Sequence, residues 1–141
     1  LSEIPGARLA IITNKPTTPT VELLKVAGLL RYFEIVVGID FQVIQGSGPM
    51  FTQKSEAIHL AKSRLPVNTP IGFYIGDTPS DQRASLDCGL EFIAATYGFH
   101  CWQDADLNGI AHLASISDLI PCLQEAVWRQ QAHSLSPRGL T

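Results

Sequence analysis

The sequence has no long apolar run, no basic cluster and few cysteines, and each lack narrows what the chain does. No stretch approaches the ~18 apolar residues of a membrane-spanning helix. No basic start followed by an apolar core and a small-residue cleavage site marks a secretory signal. Ten lysines and arginines against 13 acids leave a net charge of −3. A nucleic acid or an anionic membrane is therefore excluded as the expected partner. Cys88, Cys101 and Cys122 fall at no CxxC or Cys/His metal spacing. They read as reduced thiols, small residues of a core, in a cytoplasmic protein.

What is present is apolar material in short, punctuated pieces. Hydrophobic residues make up 45% and charged residues 16% of the 141 positions, enough to build a core and too little charge for wholesale disorder. The length and the lack of an internal repeat predict one domain, over residues 1–133, with a frayed tail at 134–141. The start at Leu1 rather than Met, only a few residues before a strand, has the look of a cut through a longer chain.

Along the chain, strands alternate with helices. Arg8–Ile12 is a short run, apolar on both faces, as a buried parallel strand requires. A helix follows, with Thr18 as cap and Pro19 in the first helical position, and with Val21, Leu24 and Gly28 on one face. Glu34–Ile39 is a second strand, Gln42–Pro49 a loop, and Thr52–Arg64 a helix with Ala57, Ile58, Ala61 and Leu65 at helical spacing. Ile71–Ile75 is a third strand. Pro79–Cys88 is a helix closed by Gly89, and Glu91–Thr96 a fourth strand. A short helix is predicted near Leu107–Leu113 and a last one from Pro121 to about Gln131. This alternation predicts an α/β fold with a parallel sheet and right-handed crossovers.

In such sheets chemistry gathers at the carboxyl ends of strands. The first strand ends in Thr13 and Asn14, the third in Asp77 with Asp81 four residues on, and Lys54 opens the helix between the second and third strands. Hydroxyl and amide donors with a lysine suit a phosphate. Two carboxylates at this spacing suit a hard cation such as Mg²⁺, which would neutralise charge on a transferring phosphoryl group. Bland readings stand beside these. Thr78-Pro79-Ser80-Asp81 has the outline of a capping box, Asp77 is also a hydrogen-bonding turn residue, and a lysine at a helix start is also a solvated one. Asp77 is the harder to dismiss, since an acid directly after a buried strand needs a partner. Lys54 faces the positive end of the helix macrodipole, so an anionic partner is expected.

The segments RLAIITNKP, VAGLLRYFEIVVGID, Lys54 and FYIGDTPSDQRASLDCGLEFIAATYGF together resemble the haloacid dehalogenase superfamily, in its phosphoglycolate-phosphatase-like branch. The likeness covers about Ala7 to Gly98 and implies a three-layer Rossmann-like core. It implies Thr13 at the phosphoryl group, Lys54 holding phosphate and nucleophile, and Asp77 and Asp81 positioning Mg²⁺; Asn14, beside Thr13 at the strand end, is read as a further phosphate-binding residue. It also implies a small phosphorylated metabolite as substrate. The family's first motif is an apolar strand ending in Asp-x-Asp-x-Thr, whose first aspartate attacks phosphorus. No such motif occurs in the 141 residues. Asp104-Ala105-Asp106-Leu107-Asn108 has the Asp-x-Asp spacing but follows no convincing strand, so solvated loop carboxylates are expected there.

Two expectations follow from the resemblance. The chain by itself is inactive as a phosphatase, because nothing accepts the phosphoryl group. The usual central strand is also missing, between those at Arg8–Ile12 and Ile71–Ile75. That slot is closed up, or filled by a second copy or a partner segment, or the chain is a remnant of a longer protein. The alternative is a non-catalytic module that keeps the fold for binding or assembly. A response-regulator receiver has similar groups in the reverse order and is set aside.

Overall fold

Strand β1 (Ala10–Ile12) lies parallel to β2 (Ile35–Val37), with Ala10, Ile11 and Ile12 opposite Ile35, Val36 and Val37. Bonds from Glu34 N–H to the Leu9 carbonyl and from Thr13 N–H to the Val37 carbonyl carry the ladder one residue past each end. The computed structural model describes residues 6–66 and 72–134. Ile71, the predicted start of the third strand, and residues 135–141 of the predicted tail lie outside the described residues. The remaining elements are α1 (Thr17–Val26), α2 (Phe41–Ile44), α3 (Lys54–Arg64), β3 (Phe73–Gly76), α4 (Pro79–Asp87), β4 (Glu91–Ala95), β5 (Ala111–Leu113) and α5 (Leu119–Ser134). The fold is α/β, with parallel strand pairs flanked by helices.

The chain divides into two compact units. One holds Arg8–Tyr74 and Pro79–Phe92. Its core is two clusters. In the first, Val37, Phe51, Ala57 and Ala61 pack with Ala10, Ile12, Ile35, Phe41 and Leu60. In the second, Ile58, Ala84 and Cys88 pack with Ile12, Tyr74 and Leu90. The apolar stripe read from Ala57, Ile58 and Ala61 is therefore what seats α3, the helix that carries Lys54. Glu56 fixes the start of that helix: its carboxylate accepts the Thr52 N–H at 2.8 Å and the Gln53 N–H at 3.2 Å, which holds its pKa below the ordinary range.

The other unit contains Ile75–Thr78 and residues 93–134. Here β4 and β5 pair in parallel through Ile93–Ala111, Ala94–His112 and Ala95–Leu113, in a sheet ordered β3-β4-β5. Ile93, Ala94, Ala95 and Leu113 are buried, with Leu123 and Ala126 of α5.

Several local expectations need correction. Thr18 does not cap α1. The helix begins at Thr17 with Pro16 before it and no side-chain cap, so Pro19 sits in the third position. The reason is tertiary: Asp40, from the loop after β2, accepts the Thr17 N–H at 2.7 Å and does the capping from 23 residues away. Gly28 is exposed rather than part of a packed face, while Val21 and Leu24 are half-buried. The predicted loop at Gln42–Pro49 begins as the short helix α2. The predicted short helix near Leu107–Leu113 is instead a turn followed by β5, because Ala111–Leu113 finds a ladder on β4. Gly89 closes α4 as expected, with φ +69°.

Candidate functional site

Lys54 is the first residue of α3, and its ammonium reaches the carboxylate of Asp81 in α4. Both belong to one unit. Asp81 is only 3% exposed. The partner that the helix start demands of Lys54 is thus a carboxylate of the chain itself, an ion pair set well out of water. The capping-box outline of Thr78–Asp81 does not exhaust the role of Asp81, although Pro79 does take the first position of α4.

Thr13 follows β1 at its carboxyl end. Its Oγ1 accepts the Lys15 N–H at 3.1 Å, which tightens the turn through the exposed Asn14. The loop after β2 is pinned against the same segment. The Lys15 carbonyl accepts the Ile39 N–H at 3.2 Å, and Thr17 Oγ1 accepts the Gly38 N–H at 3.1 Å. Gly38 is required for space. A Cβ there would lie 2.4 Å from the Thr17 nitrogen and 2.6 Å from the Lys15 carbonyl oxygen. The Thr17 N–H holds the Asp40 carboxyl below the ordinary carboxylate range. Neither Gly38 nor Asp40 is among the residues that the sequence singles out. The signal that singled out Asp77, an acid just after an apolar strand, was present for Asp40 as well.

Asp77 stands in the second unit, where its Oδ2 accepts the Phe99 N–H at 2.9 Å. Among the described residues no group of three or more His, Cys, Asp or Glu side chains is placed to hold a metal. Two carboxylates are nevertheless the donor set that suits Mg²⁺, which keeps several waters and takes one or two carboxylates besides phosphate oxygens. Asp77 and Asp81, which belong to different units, each supply a carboxylate, the donor type such an ion takes.

The other candidates are quieter. Asp104 and Asp106 are exposed, and Asp106 Oδ2 accepts the Gln103 N–H in a turn, as expected of loop carboxylates. His59 is exposed. His100 meets Trp102 edge to face, ring centroids 5.0 Å apart. Cys88 is buried, its thiol raised above the ordinary value by desolvation, with Sγ 3.5 Å from the Ser55 carbonyl oxygen. No helix among the described residues is long and apolar enough to cross a membrane.

Parallel strands alternating with helices make the chain an α/β protein by class. The family model for haloacid dehalogenase-like hydrolases matches residues 3–95, and the chain belongs to that family. It is similar to the phosphoglycolate phosphatase of Rhodobacter capsulatus, 29% identical over 113 residues, which cover 80% of this chain and 47% of that protein. It is equally similar to the phosphoglycolate phosphatase of Escherichia coli (strain K12), 29% identical over 119 residues, covering 84% of this chain and 45% of that one. The crystal structure of a predicted phosphatase from Clostridium acetobutylicum matches with a TM-score of 0.68 at 26% identity, over 85% of this chain and 53% of that chain. The chain thus spans about half the length of the curated relatives it matches. These likenesses set it in the phosphoglycolate-phosphatase-like branch of the family.

Proposed function

We propose that the chain carries the phosphate- and Mg²⁺-handling part of a phosphomonoester hydrolase, acting in the cytoplasm on a small phosphorylated metabolite. The observation that supports this most is the buried Lys54–Asp81 ion pair. A lysine fixed at a helix start, with its charge kept out of bulk water, interacts strongly with any anion brought beside it. In this reading Lys54 orients the phosphoryl oxygens, and Thr13 and Asn14 give hydroxyl and amide donors. Asp77 and Asp81, four residues apart in the sequence, would hold Mg²⁺. When bound, that ion supplies electrophilic neutralisation of charge on the phosphoryl group. The nucleophilic aspartate of the family motif is not among the 141 residues, so the proposed role of this chain alone is binding and positioning.

The second reading, a non-catalytic module for binding or assembly, draws on the same ion pair, whose opposite charges also satisfy one another. Calorimetric titration with inorganic phosphate in the presence of Mg²⁺ separates the two. Measurable binding that is lost in Lys54→Gln and Thr13→Val, each checked for retained helicity, is the expected result. No phosphate binding by the folded wild-type chain favours the non-catalytic module.

A further inference from the structure

We propose that Gly98 and the backbone amide of Phe99 position the Asp77 carboxylate for a divalent cation; the inference rests on the reading of Asp77 as a metal carboxylate given above. Asp77 follows β3 directly, and the turn Tyr97–Phe99 follows β4. All of these residues lie in one unit.

Two observations join them. The Phe99 N–H donates to Asp77 Oδ2 at 2.9 Å. A Cβ on Gly98 would lie 2.2 Å from Asp77 Cβ, 2.6 Å from Oδ2 and 2.8 Å from Cγ, all closer than real Cβ atoms approach. Gly98 does not have a positive φ, so what is required at this position is the missing side chain rather than an unusual backbone angle. Its own N–H donates to the Ala95 carbonyl at 3.2 Å and ties the turn to the end of β4.

The side chain of Phe99 is fully exposed and adds nothing to packing. What this residue brings to Asp77 is its amide. A charge-assisted bond from a backbone donor fixes the orientation of a carboxylate. Partners behind a metal-binding carboxylate typically change metal affinity about 10–100-fold when lost. The backbone of the turn lies flat against Asp77 because residue 98 has no Cβ, and that closeness lets the next amide reach Oδ2.

The test uses the full 141-residue chain with Mn²⁺ alone, followed by electron paramagnetic resonance, and with Mg²⁺ alone, followed by the Phe99 amide resonance. Wild type is expected to bind Mn²⁺, and Asp77→Asn to lose most of that binding. Gly98→Ala is expected to weaken it about 10–100-fold while remaining folded. Tyr97→Ala, a neighbour whose side chain is placed in no role here, should bind as wild type does. Mg²⁺ should shift the Phe99 amide in wild type and not in Asp77→Asn. If wild type binds no Mn²⁺, or Asp77→Asn binds as well as wild type, the reading of Asp77 falls and this inference with it. If Asp77→Asn loses binding but folded Gly98→Ala keeps it, the positioning role alone is overturned. Should Gly98→Ala not fold, the amide resonance decides: a Phe99 signal unmoved by Mg²⁺ overturns the inference, and one that moves only when Asp77 is present supports it.

Discussion

Lys54 opens a helix, where the macrodipole disfavours a cation, and the structure answers that cost with the carboxylate of Asp81. The pair is mostly desolvated, so its members are strongly interdependent. Lys54→Met leaves the Asp81 carboxylate buried without its ammonium and is expected to cost about 3–5 kcal/mol. The double variant Lys54→Met/Asp81→Leu should recover most of that loss, since a matched apolar pair avoids the desolvation of both charges. Urea denaturation of the two variants checks this. A double variant as unstable as the single one would show that shape, rather than charge, holds α3 to α4. The need for an anionic partner at Lys54 was readable from its place at a helix start. Which anion meets it was not, because residues 54 and 81 become neighbours only when both helices pack around Ile58, Ala84 and Cys88.

Among the elements, α1 shows how local and distant signals compete. The Thr18-Pro19 pair is a good local start signal, yet the helix begins two residues earlier, at Thr17 rather than Pro19, because Asp40 caps it across the fold. The Thr17 N–H is bonded to ionised Asp40, which lowers the pKa of that carboxyl below its ordinary value. The sign follows from linkage. The stabilisation is fully present above the unfolded-state pKa and is lost as the pH falls through the lower folded-state value. Wild type and Asp40→Asn, unfolded by urea between about pH 2 and 6, should therefore differ most at the upper end and converge at the lower. A constant difference across that range would mean that the charge of Asp40 is not what holds the start of α1. β5 is the complementary case. Ala111-His112-Leu113 has little strand character of its own, and it becomes a strand because β4 offers a parallel edge.

For the whole molecule, the central chemical fact is an absence legible without coordinates: no Asp-x-Asp-x-Thr stands in the 141 residues. Carboxylate attack on phosphorus divides a hard step into two, and a cation with a lysine does not replace it. The purified chain is expected to release no p-nitrophenol from p-nitrophenyl phosphate in the presence of Mg²⁺. Steady Mg²⁺-dependent turnover, abolished by Asp77→Asn, would place a nucleophile within these residues after all. The expectation of a strand buried on both faces at Arg8–Ile12 meets a more open arrangement. Ala10, Ile11 and Ile12 are all only half-buried, and β2 is the one strand that pairs with β1 among the described residues.

By itself the sequence determined the alternation of strands and helices, the stripe that seats α3, the glycine that ends α4 and the residue types available for phosphate and cation. All of these depend on spacing along the chain, and periodicity, turn chemistry and chain order are local properties. Only the tertiary structure decided that Asp81 neutralises Lys54, that Asp40 caps α1, and that Gly98 has no room for a side chain beside Asp77. The cap joins residues 23 positions apart and the ion pair residues 27 apart, and the glycine meets Asp77 across two strand ends. Contacts at that range exist only once strands have paired and helices have packed, so no local pattern encodes them.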